Sequence, residues 1–144
     1  MESRKTSEFD KRIRGKKHLL FLIEDEDGEK FGYYLNTEVV EKYKEWKETD
    51  NKSFEFNLQS NGRLQQPMKF EIIDIKRGGY YLCEKSDSLD HLITLGDITL
   101  FKENCKNISQ CLQREDNFDY HGIENALCGK LFFTPKRILV IQMK

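Results

Sequence analysis

The chain is first defined by what it lacks. No stretch of its 144 residues approaches the roughly 18 consecutive apolar residues of a membrane span, and no charged-then-apolar leader opens it. Glu2 stands where a myristoylation signal needs glycine, and the carboxyl end is not a prenylation box. These absences predict a protein with no membrane insertion, placed in the cytoplasm or nucleus. There the four cysteines, Cys83, Cys105, Cys111 and Cys128, are expected as reduced thiols.

The catalytic vocabulary is equally thin. The three histidines, His18, His91 and His121, belong to no nucleophile elbow or cysteine-hydrolase signature. A Cys128–His121 pair assembled by the fold is the one candidate for nucleophilic chemistry. Against it, Cys128 sits between Leu127 and Gly129, where a small buried thiol is the usual outcome. Cys105 and Cys111, with five residues between them, lack the paired spacing of a zinc site. Asp25-Glu26-Asp27-Gly28-Glu29 lacks the alternating ligands of a calcium loop, and Gly78-Gly79 lacks a phosphate-binding frame. The expectation is a protein with no catalytic residues, no metal site and no cofactor.

Charge is scarce in sum but uneven in place. The formal net charge is −1, whereas residues 1–17 carry seven bases and three acids. This predicts a basic, partly flexible arm over 1–16 and a single domain over 17–144. The arm gives a second reading of the chain, as a nucleic-acid-binding, transcription-regulating protein.

What is present is β-pattern. Leu19–Glu24 reads as a strand buried on both faces, and Asp27-Gly28 as the hairpin turn into Lys30–Asn36. Ser53–Gln59 alternates, which predicts Phe54, Phe56 and Leu58 on the core face and Glu55, Asn57 and Gln59 in solvent. Lys69–Ile75 and Tyr80–Glu84 read as a hairpin around Arg77-Gly78-Gly79. His91–Leu95 and Ile98–Lys102 flank Gly96-Asp97, and Ile138–Ile141 reads as another doubly buried run that can pair with the first strand. Two helices are expected: Glu38–Trp46 capped by Thr37, and a short one over Ile123–Cys128 closed by Gly129. The fold class is therefore α+β, mostly β: a two-layer antiparallel β-sandwich flanked by one or two helices. The irregular stretch from Asn117 to Leu127 mixes aromatic, acidic and amide groups. It makes Asn117, Asp119, Tyr120, His121 and Glu124 the candidate partner-binding residues.

Taken in order, these segments resemble the TLDc family. The likeness rests on Phe31-Gly32-Tyr33-Tyr34 after the acidic-Gly turn, and on Phe54-Glu55-Phe56-Asn57-Leu58. It continues with Gly96-Asp97 before an alternating strand, then Gly129, Phe133-Thr134-Pro135 and the final strand. It covers about Lys17 to Met143 and is greatest to short, protist-type TLDc-like proteins. Leu95 departs from the family's Gly-rich approach to Gly-Asp. The resemblance implies a β-sandwich with no catalytic residues, in which Phe31, Gly32, Tyr33, Phe54, Phe56, Leu58, Gly96, Asp97 and Gly129 are structural. It also implies a regulatory protein-binding role tied to the oxidative stress response and to subunits of the vacuolar proton-pumping ATPase (V-ATPase).

Overall fold

The computed structural model describes residues 6–40, 45–82, 91–101 and 108–144. Two antiparallel sheets pack as a sandwich beside one short helix, α1 (Thr6–Ile13). The first sheet joins β1 (Leu19–Asp25), β2 (Lys30–Leu35), β4 (Phe54–Gln59), β5 (Met68–Glu71) and β11 (Pro135–Gln142), in the order β11-β1-β2-β4-β5. The second joins β3 (Trp46–Lys47), β6 (Tyr80–Leu82), β7 (His91–Leu95), β8 (Ile98–Phe101), β9 (Ser109–Cys111) and β10 (Phe132–Phe133), in the order β10-β9-β8-β7-β6-β3.

The β1–β2 hairpin forms where Asp-Gly calls for it. Gly28 takes φ +87°, and Asp25 Oδ1 accepts the amides of Asp27 (2.9 Å) and Glu29 (3.1 Å). Gly96-Asp97 is likewise the two-residue turn between β7 and β8, pairing Leu95 with Ile98. The first and last strands pair as expected, with Leu19 opposite Gln142 and Ile23 opposite Ile138. Alternate residues Leu19, Phe21 and Ile23 enter the core against Phe31, Tyr33 and Leu35, and Ile98 and Leu100 close it from the second sheet.

Several sequence expectations are corrected. Glu38–Val40 is not helical, and Trp46 lies on β3 with half its surface exposed, its ring tilted against Tyr81 at 5.8 Å. The rest of that expected helix, 41–44, lies outside the described residues. Tyr80 explains part of the irregular backbone: its hydroxyl donates to the Glu38 carbonyl (3.1 Å) and accepts the Val40 amide (2.8 Å). β5 and β6 are not a hairpin. They lie in different sheets, and Gly78-Gly79 passes between them so closely that a Cβ on Gly79 would stand 1.8 Å from the Lys47 carbonyl oxygen.

The leading arm holds α1, whose Phe9 and Ile13 are buried and whose Phe9 ring lies 6.3 Å from Phe21. Their i, i+4 spacing puts both on one helix face. Ile123–Cys128 is a turn rather than a helix, although Gly129 ends it at φ +82° as expected.

The two strands read as buried on both faces are not. β1 alternates between buried and half-buried residues, and β11 is an edge strand with Leu139, Val140 and Ile141 each about 40% exposed. Most consequential is β4. Its polar row, Glu55 and Asn57, points into the sandwich, while Phe54 is half-buried and Leu58 is 48% exposed. Phe56 packs on the outer face because Gly32, its partner across the sheet, has no side chain to displace it.

Candidate functional site

The inverted face of β4 builds a polar cluster inside the core. Tyr120 Oη lies 2.5 Å from both Glu55 Oε1 and Asp97 Oδ2. Asp97 also accepts the Arg114 amide (2.8 Å) and the Asn117 side-chain amide (2.9 Å), and its own amide donates to Glu55 Oε2 (2.8 Å). One phenolic proton cannot serve two carboxylates, so one acid must carry a proton of its own. Burial, then the charge of Asp97, push Glu55 well above the ordinary carboxyl value. Burial raises Asp97 too, but Tyr120, the Arg114 amide and Asn117 donate to its ionised form. The consistent arrangement has neutral Glu55 donating to Tyr120, which donates to the Asp97 carboxylate.

The cluster decides where the expected binding residues fall. Asn117 and Tyr120 are buried, whereas Asp119, His121 and Glu124 are exposed. The five therefore divide between a core anchor and the surface beside it. The His121 ring sits near the Lys69 carbonyl (3.3 Å) and Asp119 (3.7 Å). The partner of Cys128 is another residue, Cys111, with the sulfurs 3.7 Å apart.

A second set of contacts holds the turn over these sulfurs. Buried Glu29 accepts from Arg63 (2.6 Å) and Asn57 (3.0 Å), and Arg63 donates onward to the carbonyls of Asn125 (3.1 Å) and Ala126 (3.2 Å). Gln113 ties the same turn from the other side, accepting the Ala126 amide (2.6 Å) and donating to the Ile123 carbonyl (2.6 Å). Lys130 bridges Asp25 (2.7 Å) and Asp27 (2.8 Å), so the acidic turn is occupied by an ammonium. Arg63→Ala strips a buried carboxylate of its cation. Urea unfolding is expected to show a loss of about 2 kcal/mol, with faster amide exchange at 125–129.

A third feature is on the surface. α1 and the exposed side of β11 form the walls of a groove of about 630 Å³. Arg12, Lys16, Lys136 and Arg137 line it over apolar side chains such as Ile13, Leu19 and Ile138, and among the described residues no carboxylate lines it. Arg137 reaches Glu24 (3.3 Å), while Lys16 and Lys136 pair with no acid among the described residues. The outer edge of β11 pairs with no strand among the described residues.

No protein-family model and no curated protein matches the chain. Among the described residues, no helix is long and apolar enough to cross a membrane.

Sequence reasoning missed all three features. The polar row of β4 was visible as an alternation but was assigned to the wrong face. The dithiol joins residues seventeen positions apart, and no local pattern signals it. The groove had a signal in the basic residues of 1–17, but the strand that completes it comes from the far end of the sequence.

Proposed function

We propose that this domain is a non-catalytic binding module that docks an extended protein segment, carrying acidic and apolar residues, along the edge of β11. The observation that carries this reading is an eight-residue edge strand with exposed apolar side chains beside a groove whose charged lining, among the described residues, is basic. An unpaired edge offers main-chain donors and acceptors to an added strand, and alternating side chains supply specificity. Lys16 and Lys136, which pair with no acid among the described residues, favour an acidic segment. The apolar floor and the burial of Phe9 favour a peptide over nucleic acid, which needs exposed aromatic rings or a denser run of cations.

The likeness to the TLDc family supports the same class of function. Its motif glycines occupy positions where bulk is excluded: a Cβ on Gly96 would meet Phe118 at 2.7 Å and Glu55 at 2.8 Å. Within this proposal, proton-pumping ATPase subunits are candidate partners and the response to oxidative stress is a candidate setting.

The test uses a fluorescein-labelled peptide of alternating Glu and Val, titrated by anisotropy against the full chain and the Lys16→Glu/Lys136→Glu variant. Binding that weakens roughly tenfold in the variant, with only a modest loss between low and moderate salt, is the expected result. Tighter binding of a labelled DNA duplex than of the peptide, falling steeply with salt, would replace this reading with the nucleic-acid one.

A further inference from the structure

We infer that Cys111 and Cys128 are a redox dithiol, which a hydroperoxide converts into an intramolecular disulfide that fastens the Glu124–Cys128 turn to β9. The inference rests on the sulfur geometry and is independent of what docks on β11.

The two thiols belong to different elements held in register by the backbone. Cys111 ends β9, and its amide donates to the Leu131 carbonyl (2.8 Å) just beyond the turn that carries Cys128. Their sulfurs are 3.7 Å apart, and a disulfide needs about 2.0 Å. Closing that difference calls for side-chain rotation and a shift of the turn. A pair set this way differs from an isolated buried cysteine, whose thiol has no sulfur to meet.

The two sulfurs are unlike. A hydrogen bond from Cys111 and the positive charge of Lys130 hold Cys128 below the ordinary thiol value, against the opposing effect of burial. Burial pushes Cys111 well above it. Cys128 is thus assigned the attack and Cys111 the resolving role. Both are nearly buried, but Cys111 lines an open groove of about 670 Å³ with Gln113, Arg114 and Asn125. The groove brings a peroxide to the Cys111 side of the pair, and reaching the Cys128 sulfur requires the turn held by Arg63 and Gln113 to open.

The chemistry balances with hydrogen peroxide as the oxidant. The Cys128 thiolate attacks one peroxide oxygen, the O–O bond breaks, and the departing hydroxide leaves as water after taking up a proton. Cys128 is now a sulfenic acid. The Cys111 sulfur then attacks the Cys128 sulfur, the S–O bond breaks, and a second water leaves with the Cys111 proton. Two thiols and one peroxide become one disulfide and two waters.

The experiment treats the full chain with one equivalent of hydrogen peroxide and blocks the remaining thiols by alkylation. Non-reducing proteolysis and mass spectrometry then assign all four cysteines separately. The expected product is a Cys111–Cys128 cross-linked peptide that dithiothreitol reverses. Cys128→Ser is expected to leave Cys111 unoxidised. Cys111→Ser is expected to leave Cys128 as a sulfenic acid that dimedone traps. Wild-type mapping needs no substitution, so the result does not depend on the variants folding. Oxidation confined to Cys83 or Cys105, with Cys111 and Cys128 recovered as thiols, would overturn the assignment. So would a disulfide joining either of the pair to Cys83 or Cys105.

Discussion

Tyr120→Phe is expected to destabilise the domain by about 3 kcal/mol in urea unfolding at neutral pH. The ring is retained, so its packing on Phe70 (5.3 Å) and Phe118 (6.1 Å) survives and the loss isolates the hydroxyl. Without that hydroxyl, Glu55 and Asp97 each lose a partner in a site that admits little water, at a cost of about 1–3 kcal/mol per group. Glu55→Gln is the informative contrast. A neutral amide can donate to Tyr120 and accept from the Asp97 amide as protonated Glu55 does, so its cost is expected to stay near 1 kcal/mol. A loss for Glu55→Gln equal to that for Tyr120→Phe would mean that Glu55 is ionised, and the proton assignment would fall.

The same cluster sets an unusual pH dependence. Glu55 and Asp97 are both raised when folded, so the folded state binds more protons than the unfolded chain. The stabilisation tied to that proton is fully present below the unfolded carboxyl values, near pH 4. It declines as pH rises through the raised folded value. One retained proton contributes at most about 1.4 kcal/mol per pH unit. The contribution from this cluster should therefore favour pH 5 over pH 7.5. Glu55→Gln should flatten that part of the profile, measured as the difference between wild-type and variant urea midpoints across the range.

Gly32→Ala is expected to be, with Gly79→Ala, among the most damaging single-methyl changes at the described glycines. A Cβ there would stand 1.8 Å from the Phe21 carbonyl oxygen and 2.9 Å from the Phe56 ring. The first obstacle is backbone of β1, held between β11 and β2, and cannot rotate aside. Loss of more than about 4 kcal/mol, seen as insoluble protein or absent near-ultraviolet circular dichroism, is expected. Gly62→Ala is the control: φ there is +80°, but nothing lies within 4 Å of the added atom. It should lower stability by only about 1 kcal/mol. Soluble, cooperatively folding Gly32→Ala would show that the sheet tolerates a shift of Phe21 against β2.

The hairpin at Asp27-Gly28 was legible because turn chemistry is local: a residue pair that accepts positive φ leaves its mark where it acts. Gly96-Asp97 read only as a break between two strands, and its antiparallel return came from the structure. The pairing of β1 with β11 was legible because both runs are apolar. Their exposure was not, because composition does not say which strand ends at an edge. β4 failed for a deeper reason. Alternation reveals that a strand has two faces, and hydrophobicity normally says which one is inside. Here a glycine on the neighbouring strand makes room for Phe56 outside, and Tyr120 and Asp97 supply partners for Glu55 inside. Both lie far along the sequence. The same distance hid the sulfur pair, and it explains why Asn117 and Tyr120, drawn from a polar irregular stretch, belong to the core.

The pairing of β1 with β11 also orders events during synthesis. β1 is complete at Asp25, but its partner begins at Pro135, about 110 residues later. At roughly 5–20 residues per second, the ribosome exposes that apolar strand for on the order of 10 s before the first sheet can close. The hairpin with β2 covers one edge early, and the other must wait. That interval is when a holding factor near the exit tunnel would have an apolar strand to cover. A synonymous-codon slowdown placed between the two strands would lengthen this vulnerable interval without altering a single residue of the finished molecule.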